Sequence, residues 1–508
     1  MPAFLAALAL ASICLPAAAR VPAASPAVPT SAESALLKFA EAIALVQAGR
    51  WKESYELLKA TVASKGFAEM PEDQQSAGQY LLGSVALELE EPKVALEALR
   101  NATRWKLAAG DVWYARLRAA GESKDDADAA STLTHIARVF PEVLEDINDR
   151  YIFAVLKRAS TLDWKAEAQF QLADALYDAH WTPSNAYYSA AHVRVVLARG
   201  LIERGNLYKA GDVLKEPLGP DEVIEVRTNK VFDPIVQKDL PAFDVLAAAE
   251  QELARSRKEA DARPRDLEGV NTVATQLLGL GRYAEALRFV EAAIARAAPP
   301  AGKTPEFDDL GPLNWTYDYR ARALEGLGRH DEAIAVLKRG ARRPEDGKLN
   351  VSQAINLAQY LMLLGRPREA LDAVADVTRS DMSGYGWLST QLARICSYEQ
   401  LGDKEKASVA LEDIMTNQKD GMVVAHQALL CAGDEPRAAK LLVGRLENPA
   451  ERSGALKELQ DYNPDPGQTE MERRLDARLF AVRSRPEVQA AIAKVGRIER
   501  QPLPSRRF

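Results

Sequence analysis

The sequence predicts an all-α protein, an α-solenoid of stacked helix-turn-helix repeats in which an irregular segment joins two arrays. Three observations predict this class. The chain has 508 residues, more than one hydrophobic core normally organises. A short pattern built around a glycine and an alanine recurs in the second half, and such self-similarity indicates stacked supersecondary units. The helical rhythm breaks in residues 216–244, where prolines and β-branched residues cluster.

The amino-terminal residues are predicted to be targeting and linker sequence. Residues 3–15 are almost wholly apolar, and the alanines at 17–19 supply the small side chains that a signal peptidase requires. We therefore expect a signal peptide over 1–19, cleaved after Ala19, and an extended, proline-containing leader over 20–30. This pattern predicts a secreted or periplasmic protein.

Two other readings of the apolar run are less favoured. A membrane-spanning helix needs about 20 apolar residues, and this run stops at Pro16. Lipid attachment at Cys14 normally requires a small residue in the preceding position, where Ile13 stands. The sequence therefore predicts no transmembrane span.

The repeat consists of a glycine, an alanine five residues later and an aliphatic residue four residues after the alanine. A left-handed glycine ends one helix before the chain reverses, because other residues pay about 1 kcal/mol or more for that conformation. The alanine lets two helices approach closely, and the aliphatic residue lies one turn onward on the same face. The copies are Gly281, Ala286 and Val290; Gly328, Ala333 and Leu337; Gly365, Ala370 and Val374; Gly402, Ala407 and Leu411; and Gly433, Ala438 and Leu442.

Weaker copies of the pattern occur in the first half. Gly205 is followed by Ala210 and Leu214, whereas the copy that begins at Gly49 has Ser54 in place of the alanine. The repeated segments resemble tetratricopeptide repeats, which share this glycine, this alanine and the flanking apolar residues. The resemblance covers most of residues 31–447 and implies a helical scaffold for protein interaction.

The predicted arrays and their boundaries follow from where the pattern runs and where it stops. We expect an N-terminal array over 31–215, an irregular junction over 216–244, a C-terminal array over 245–447, and a C-terminal cap and basic tail over 448–508. Residues 473–508 contain ten Lys or Arg and three Asp or Glu. This tail is either a solvated helix with an irregular end or an arm that contacts an acidic partner or anionic lipid.

Composition and motifs argue against catalysis, cofactors and nucleic acid. The net charge is −7 and the pI is near 5.6, so no global basic field favours nucleic-acid binding. Five scattered histidines never fall at metal-ligand spacing, and His426 is interpreted as a packed side chain. No phosphate loop or nucleophile elbow occurs. Cys396 and Cys431 are expected to be two buried thiols, with a disulfide as the alternative. We expect no catalytic, cofactor-binding or metal site.

The resemblance implies that the first helices of successive repeats line a concave groove that contacts the partner. Trp315 and Arg322 are of the types enriched in binding hot spots, although Trp315 is equally well explained as a core residue. The carboxylate clamp of one family subtype is absent, because the aligned places hold Asn271, Asp318, Ile355 and Leu392. The partner-binding candidates are Asn271, Thr275, Trp315, Asp318, Arg322, Ser352, Gln359, Met362, Glu399 and Gln427.

Two functional hypotheses follow. The first is an exported scaffold that binds a protein or peptide through this groove and has no catalysis of its own. The second is an enzyme or ligand-binding protein whose site is built from the irregular segments 142–190, 216–244 or 446–508. Polar residues that converge on a deep pocket in any of these segments would favour the second hypothesis.

Overall fold

A computed structural model describes residues 30–105, 108–162, 166–184, 188–298, 304–341 and 350–505. The predicted signal peptide, and the predicted leader except for Thr30, lie outside the described residues. The chain divides into two compact units, and the division falls between Gly200 and Leu201. None of the helices described is both long enough and apolar enough to cross a membrane.

The first unit consists of helices that pack in consecutive pairs. Thr30 begins the first helix with a capping box, in which its hydroxyl accepts from the Glu33 amide and the Glu33 carboxylate accepts from the Thr30 amide. A 3₁₀ turn, Pro141–Asp146, precedes α8. The helices are α1 (Ser31–Gln47), α2 (Trp51–Val62), α3 (Lys65–Ala68), α4 (Glu72–Glu88), α5 (Pro92–Ala102), α6 (Gly110–Glu122), α7 (Asp126–Val139), α8 (Asp149–Ala159), α9 (Glu167–Asp178) and α10 (Ala190–Glu203), the last of which extends past the division.

The second unit contains further helix pairs and a two-stranded parallel sheet, β1 with β2. Its helices before the sheet are α11 (Leu207–Lys215), α12 (Pro220–Thr228), α13 (Asp233–Val236), α14 (Val245–Ala262), α15 (Leu267–Gly279), α16 (Tyr283–Ala297), α17 (Leu313–Gly326), α18 (His330–Ala341), α19 (Val351–Leu363), α20 (Pro367–Ala373), α21 (Gly384–Leu401), α22 (Lys404–Thr416), α23 (Met422–Ala432), α24 (Glu435–Glu447) and α25 (Pro449–Glu458). The remaining elements are β1 (Asp461–Asn463), α26 (Glu470–Arg483), α27 (Pro486–Val495) and β2 (Arg500–Pro504).

The predicted repeat geometry is confirmed in both of its parts. Every glycine of the pattern has a left-handed backbone, with φ from +70° at Gly281 to +79° at Gly205. The alanines five residues later are all buried; Ala333 and Ala438, for example, are completely inaccessible. Ser54 takes this buried place in the weaker copy and donates a hydrogen bond to the Ala42 carbonyl at 2.8 Å. The chain is therefore an all-α, tetratricopeptide-like solenoid.

The first unit makes several of its turns without glycine. Glu90 lies between α4 and α5 with φ of +59°, and Lys124 lies between α6 and α7 with φ of +58°. His180, two residues after the end of α9, has φ of +51°. The sequence pattern is harder to recognise here because the residue that marks each turn elsewhere has been replaced.

Residues 216–244 are more helical than their prolines and β-branched residues suggest. Val223, Ile224 and Val226 lie buried in α12, and the short helix α13 follows. Arg227 and Arg497 bridge this segment to the C-terminal residues, through Glu499 at 2.8 Å and Asp233 at 2.5 Å respectively. The segments before and after the helix pairs α14–α24 are therefore joined to each other.

The expectation of two free thiols is wrong, because Cys396 and Cys431 form a disulfide with Cα atoms 5.2 Å apart. Cys396 lies in α21 and Cys431 in α23, the first helices of consecutive pairs. Their separation of 35 residues is close to the family period of about 34. Equivalent positions of neighbouring first helices face each other, so the bond links one repeat to the next.

Candidate ligand-binding site

The predicted groove residues all lie on first helices of the second unit: α15, α17, α19, α21 and α23. We call the surface that these helices share the first-helix face. Contacts join α15 to α17, α19 to α21 and α21 to α23. The Asn356 amide also donates to the Asp318 carboxylate at 2.9 Å, which connects α19 to α17.

Three of the ten predicted residues are buried and hold these helices together. Asn271 donates to the Pro312 carbonyl at 3.1 Å and accepts from the Thr316 hydroxyl at 2.8 Å. Asp318 accepts from the Arg322 guanidinium at 2.7 Å as well as from Asn356. Met362 is 4% exposed. Because their side chains are enclosed by the protein, these three do not present a surface to a partner.

The other seven residues keep at least part of their surface open. Trp315 is 39% exposed, so it does not fill the core. Arg322 leaves 55% of its side chain exposed while its Nε atom donates to Asp318. Glu399 forms an ion pair with Lys404. The remaining residues, each partly buried, are Thr275, Ser352, Gln359 and Gln427.

A cavity of about 160 Å³ lies between α15, α17 and the C-terminal residues. Thr275 and Arg322 are the two predicted groove residues in its wall. We call it the Glu325 cavity, after one of the carboxylates in its wall. Its lining consists of Thr275, Leu278, Tyr283, Tyr319, Arg322, Glu325, Gly326, Asp465, Gln468, Glu472, Asp476 and Ser505.

The C-terminal wall of the cavity is held close to α17 and α16 by short contacts. Gly467 lies so near α17 that an added Cβ atom would be 1.9 Å from the Glu325 carbonyl oxygen. The Tyr283 hydroxyl donates to the Asp465 carboxylate at 2.7 Å. Arg478 of α26 donates to the carbonyls of Leu430 and Cys431 at 2.6 and 2.7 Å, at the end of α23. This wall is therefore part of the folded unit.

The cavity has an excess of carboxylates. Glu325, Asp465, Glu472 and Asp476 lie in its wall, and Arg322 is its basic residue. Burial and the neighbouring Glu472 raise the pKa of Glu325 to about 8. Burial also raises the pKa of Glu472, against the lowering effect of its hydrogen bonds from Thr469. The wall therefore disfavours further negative charge and favours a cation.

Glu325 differs from the other acids in how it is held. Asp465 accepts from Tyr283 and from the Gly467 amide, Glu472 accepts from the Thr469 amide, and Asp476 accepts from Gln468. In the part of the chain that the structure describes, the Glu325 carboxylate has neither a hydrogen-bonding nor an ion-pairing partner. Glu325 lines the cavity, and its carboxylate remains available to a ligand.

The interpretation of His426 as a packed side chain agrees with its surroundings. His426 is inaccessible and its Nδ1 atom lies 2.5 Å from the Glu458 carboxylate, which also accepts from Arg445 at 2.5 Å. Burial opposes ionisation of Glu458, but His426 and Arg445 together lower its pKa to about 2. This triad joins α23 and α24 to α25. Among the described residues, no group of three or more His, Cys, Asp or Glu is placed to hold a metal ion.

Several arginines of the predicted basic tail bind the chain itself. Arg478 and Arg497 make the contacts given above, and Arg483 donates to the Leu459 carbonyl at 2.8 Å. Arg485 pairs with Glu487 at 2.7 Å. Arg506 and Arg507 lie outside the described residues. Within the described tail, these positive charges hold the C-terminal elements in place.

Comparison with known proteins identifies similar structures at low similarity. No family model and no curated protein matches the sequence. A Rap protein complexed with competence and sporulation factor is similar, with 14% identity, coverage of 89% of this chain and 100% of that one, and a TM-score of 0.31. Yeast Tom70 is similar with 11% identity, coverage of 91% of this chain and 99% of that one, and a TM-score of 0.29. The Cut9–Hcn1 hetero-tetramer of the APC/C is similar with 14% identity, coverage of 91% of this chain and 89% of that one, and a TM-score of 0.23. The class of the chain, a tetratricopeptide-like helical repeat protein, is defined by its own helix pairs and turn glycines.

Proposed function

We propose that this chain is an exported interaction scaffold that binds a protein or peptide partner on the first-helix face and has no catalysis of its own. The observation that carries the proposal is the open part of the first-helix face, where Trp315 is 39% exposed and the Arg322 side chain is 55% exposed. Repeat arrays of this kind present extended surfaces that bind partners. Exposed Trp315 lies in α17, which also supplies Arg322 and Glu325 to the cavity.

Cross-linking the exported protein in its own cells, followed by mass spectrometry, tests this proposal. Trp315→Ala removes an exposed aromatic group from the first-helix face and should reduce the captured partner several-fold. Val409→Ala is the matched control, because Val409 is 69% exposed on α22, a second helix. Capture that both variants reduce equally, or that neither reduces, would place the partner elsewhere.

A ligand-binding protein is the second candidate, and a specific observation favours it. Five of the twelve residues around the cavity, namely Asp465, Gln468, Glu472, Asp476 and Ser505, come from the irregular segment 446–508. A small-molecule ligand would occupy the cavity without a protein partner. Calorimetric titration of the purified chain with small organic cations distinguishes the two functions, because a scaffold needs the flanking contacts of a peptide for strong binding.

A further inference from the structure

The walls of the Glu325 cavity suit one kind of group. They combine an unpartnered carboxylate with two tyrosines, Tyr283 and Tyr319, and the aliphatic side chain of Leu278. Aromatic faces attract ammonium and guanidinium groups, because the negative face of the ring interacts favourably with positive charge. Carboxylates form charge-assisted hydrogen bonds with the same groups. An apolar surface beside them suits the methylene stem of a basic side chain.

The size of the cavity suits one such group. A cavity that holds a single water has a volume of roughly 10 to 15 Å³. A cavity of about 160 Å³ therefore has room for a head group and several methylenes. It is far too small for a folded element.

Arg322, the basic residue of the cavity wall, does not neutralise the carboxylates of the cavity. The Arg322 Nε atom donates to Asp318, which is 2% exposed and would otherwise lack a cationic partner. Four carboxylates remain around the cavity, and Glu325 alone among them has no donor within the described residues. A ligand that brings a positive charge and several N–H donors would supply what the wall lacks.

We propose that the Glu325 cavity binds the guanidinium or ammonium head of a single arginine or lysine side chain, with Glu325 as its direct acceptor. This inference rests on the proposed scaffold function and names the chemistry by which the partner is recognised. Tyr283 and Tyr319 flank the cation, and Leu278 contacts its stem. An acidic or neutral side chain does not bind there.

The protonation of Glu325 gives the site a measurable signature. The charged and titratable groups that surround it are Arg322, Asp318 and Tyr319 from α17, Tyr283 from α16, Tyr360 from α19, and Asp465, Glu472 and Asp476 from the C-terminal residues. With a pKa of about 8, Glu325 is largely protonated at pH 7. A bound guanidinium, which does not titrate in this range, favours the ionised form. Binding at pH 7 should therefore release roughly one proton.

Isothermal titration calorimetry of the full chain tests the proposal with two matched probe peptides of otherwise neutral sequence. One carries a single arginine, and the other carries citrulline, its neutral isostere, at the same position. The arginine peptide should bind at least tenfold more tightly at pH 7. Titrations in buffers of different ionisation enthalpy should show the proton release. Equal affinities, or no proton release, would overturn the proposal.

Variants identify the acceptor and separate it from the fold. Glu325→Gln keeps the shape of the side chain, and it should lower the affinity for the arginine peptide about tenfold and abolish the proton release. Glu97→Gln removes one exposed carboxylate from the middle of α5 in the first unit and should change neither. Unchanged binding by Glu325→Gln, with a melting temperature no lower than that of the parent, would remove Glu325 from the site.

Two further measurements identify the source of the cation and distinguish failure of the cation site from failure of the scaffold function. The sequence continues after Ser505 with Arg506 and Arg507. A chain that ends at Ser505 should bind the arginine peptide more tightly if the chain's own arginines compete, and equally if only a partner supplies the cation. A panel of peptides without basic residues completes the test. Strong binding to that panel would overturn the cation site but retain the scaffold, whereas a chain that captures no peptide or protein overturns the scaffold itself.

Discussion

The disulfide gives the prediction whose size follows most directly from the structure. We consider the variant in which both cysteines are replaced, Cys396→Ala with Cys431→Ala. The bond closes a loop of 35 residues between α21 and α23. In the chain-entropy treatment, a closed loop of this length destabilises the unfolded state by about 4 kcal/mol at 25 °C. Both sulfurs are buried, so a small additional loss of packing is expected.

Guanidinium denaturation of the oxidised parent, the reduced parent and the double variant measures this loss. We expect the reduced parent and the double variant to lose about 2 to 4 kcal/mol. Because neighbouring repeats stabilise each other, amide exchange should accelerate first in α21–α24. A thiol titration should find no free thiol at Cys396 or Cys431 in the denatured, unreduced protein. Identical transitions with and without reductant would refute this reasoning.

Four further predictions concern the packing, the cavity and the leader. Ala333→Phe should destabilise by about 1 to 3 kcal/mol through overpacking, whereas Ala335→Phe on the exposed face of α18 should not; equal thermal melts would mean that the repeat register is wrong. Gly467→Ala should accelerate amide exchange in α26, because the added Cβ atom clashes with the Glu325 carbonyl and loosens the C-terminal wall. Gly444→Ala is the control, because its Cβ atom enters open space and should leave this exchange unchanged. Slow exchange in both variants contradicts the prediction. The raised pKa of Glu325 means that the folded protein retains a proton that the unfolded chain releases above pH 4.5, so the free energy of unfolding falls between pH 4.5 and about 8. Glu325→Gln cannot titrate and escapes this loss. After allowance for solvent screening, its free energy of unfolding should exceed that of the parent by about 1 to 2 kcal/mol at pH 8 and by little at pH 5. Amino-terminal sequencing of the exported protein should begin at Arg20, and an intact Met1 would exclude cleavage.

The repeats were predictable because their signal is local. Gly281 and Gly402 mark turns by a backbone requirement that one residue type meets best, and Ala333 marks a helix contact by its size. Where Glu90 and Lys124 adopt the same left-handed backbone, the glycine marker is absent, and the sequence pattern predicts the first unit less clearly. The disulfide has a signal in the sequence, because the 35-residue separation of Cys396 and Cys431 is close to one repeat.

The candidate site was only half predictable. Thr275 and Arg322 follow from their places on first helices, whereas Asn271 and Asp318 share that face but are buried by the helices beside them. Glu325 lies on the same helix as Arg322, yet its importance depends on Asp465 and Glu472, which are more than 130 residues away in sequence. No periodic pattern indicates where a non-repeating C-terminal segment will pack. Such contacts require the folded chain.

The most direct test of the account is whether a partner contacts the first-helix face. A photoreactive amino acid is introduced at Trp315 or, as the control, at Val409, two exposed positions on a first and a second helix of the same unit. Cells that export each variant are irradiated and the covalent adducts are compared by mass spectrometry. We predict one dominant protein adduct at position 315 that is absent at 409. Equal adducts at the two positions, or none at 315, would contradict it.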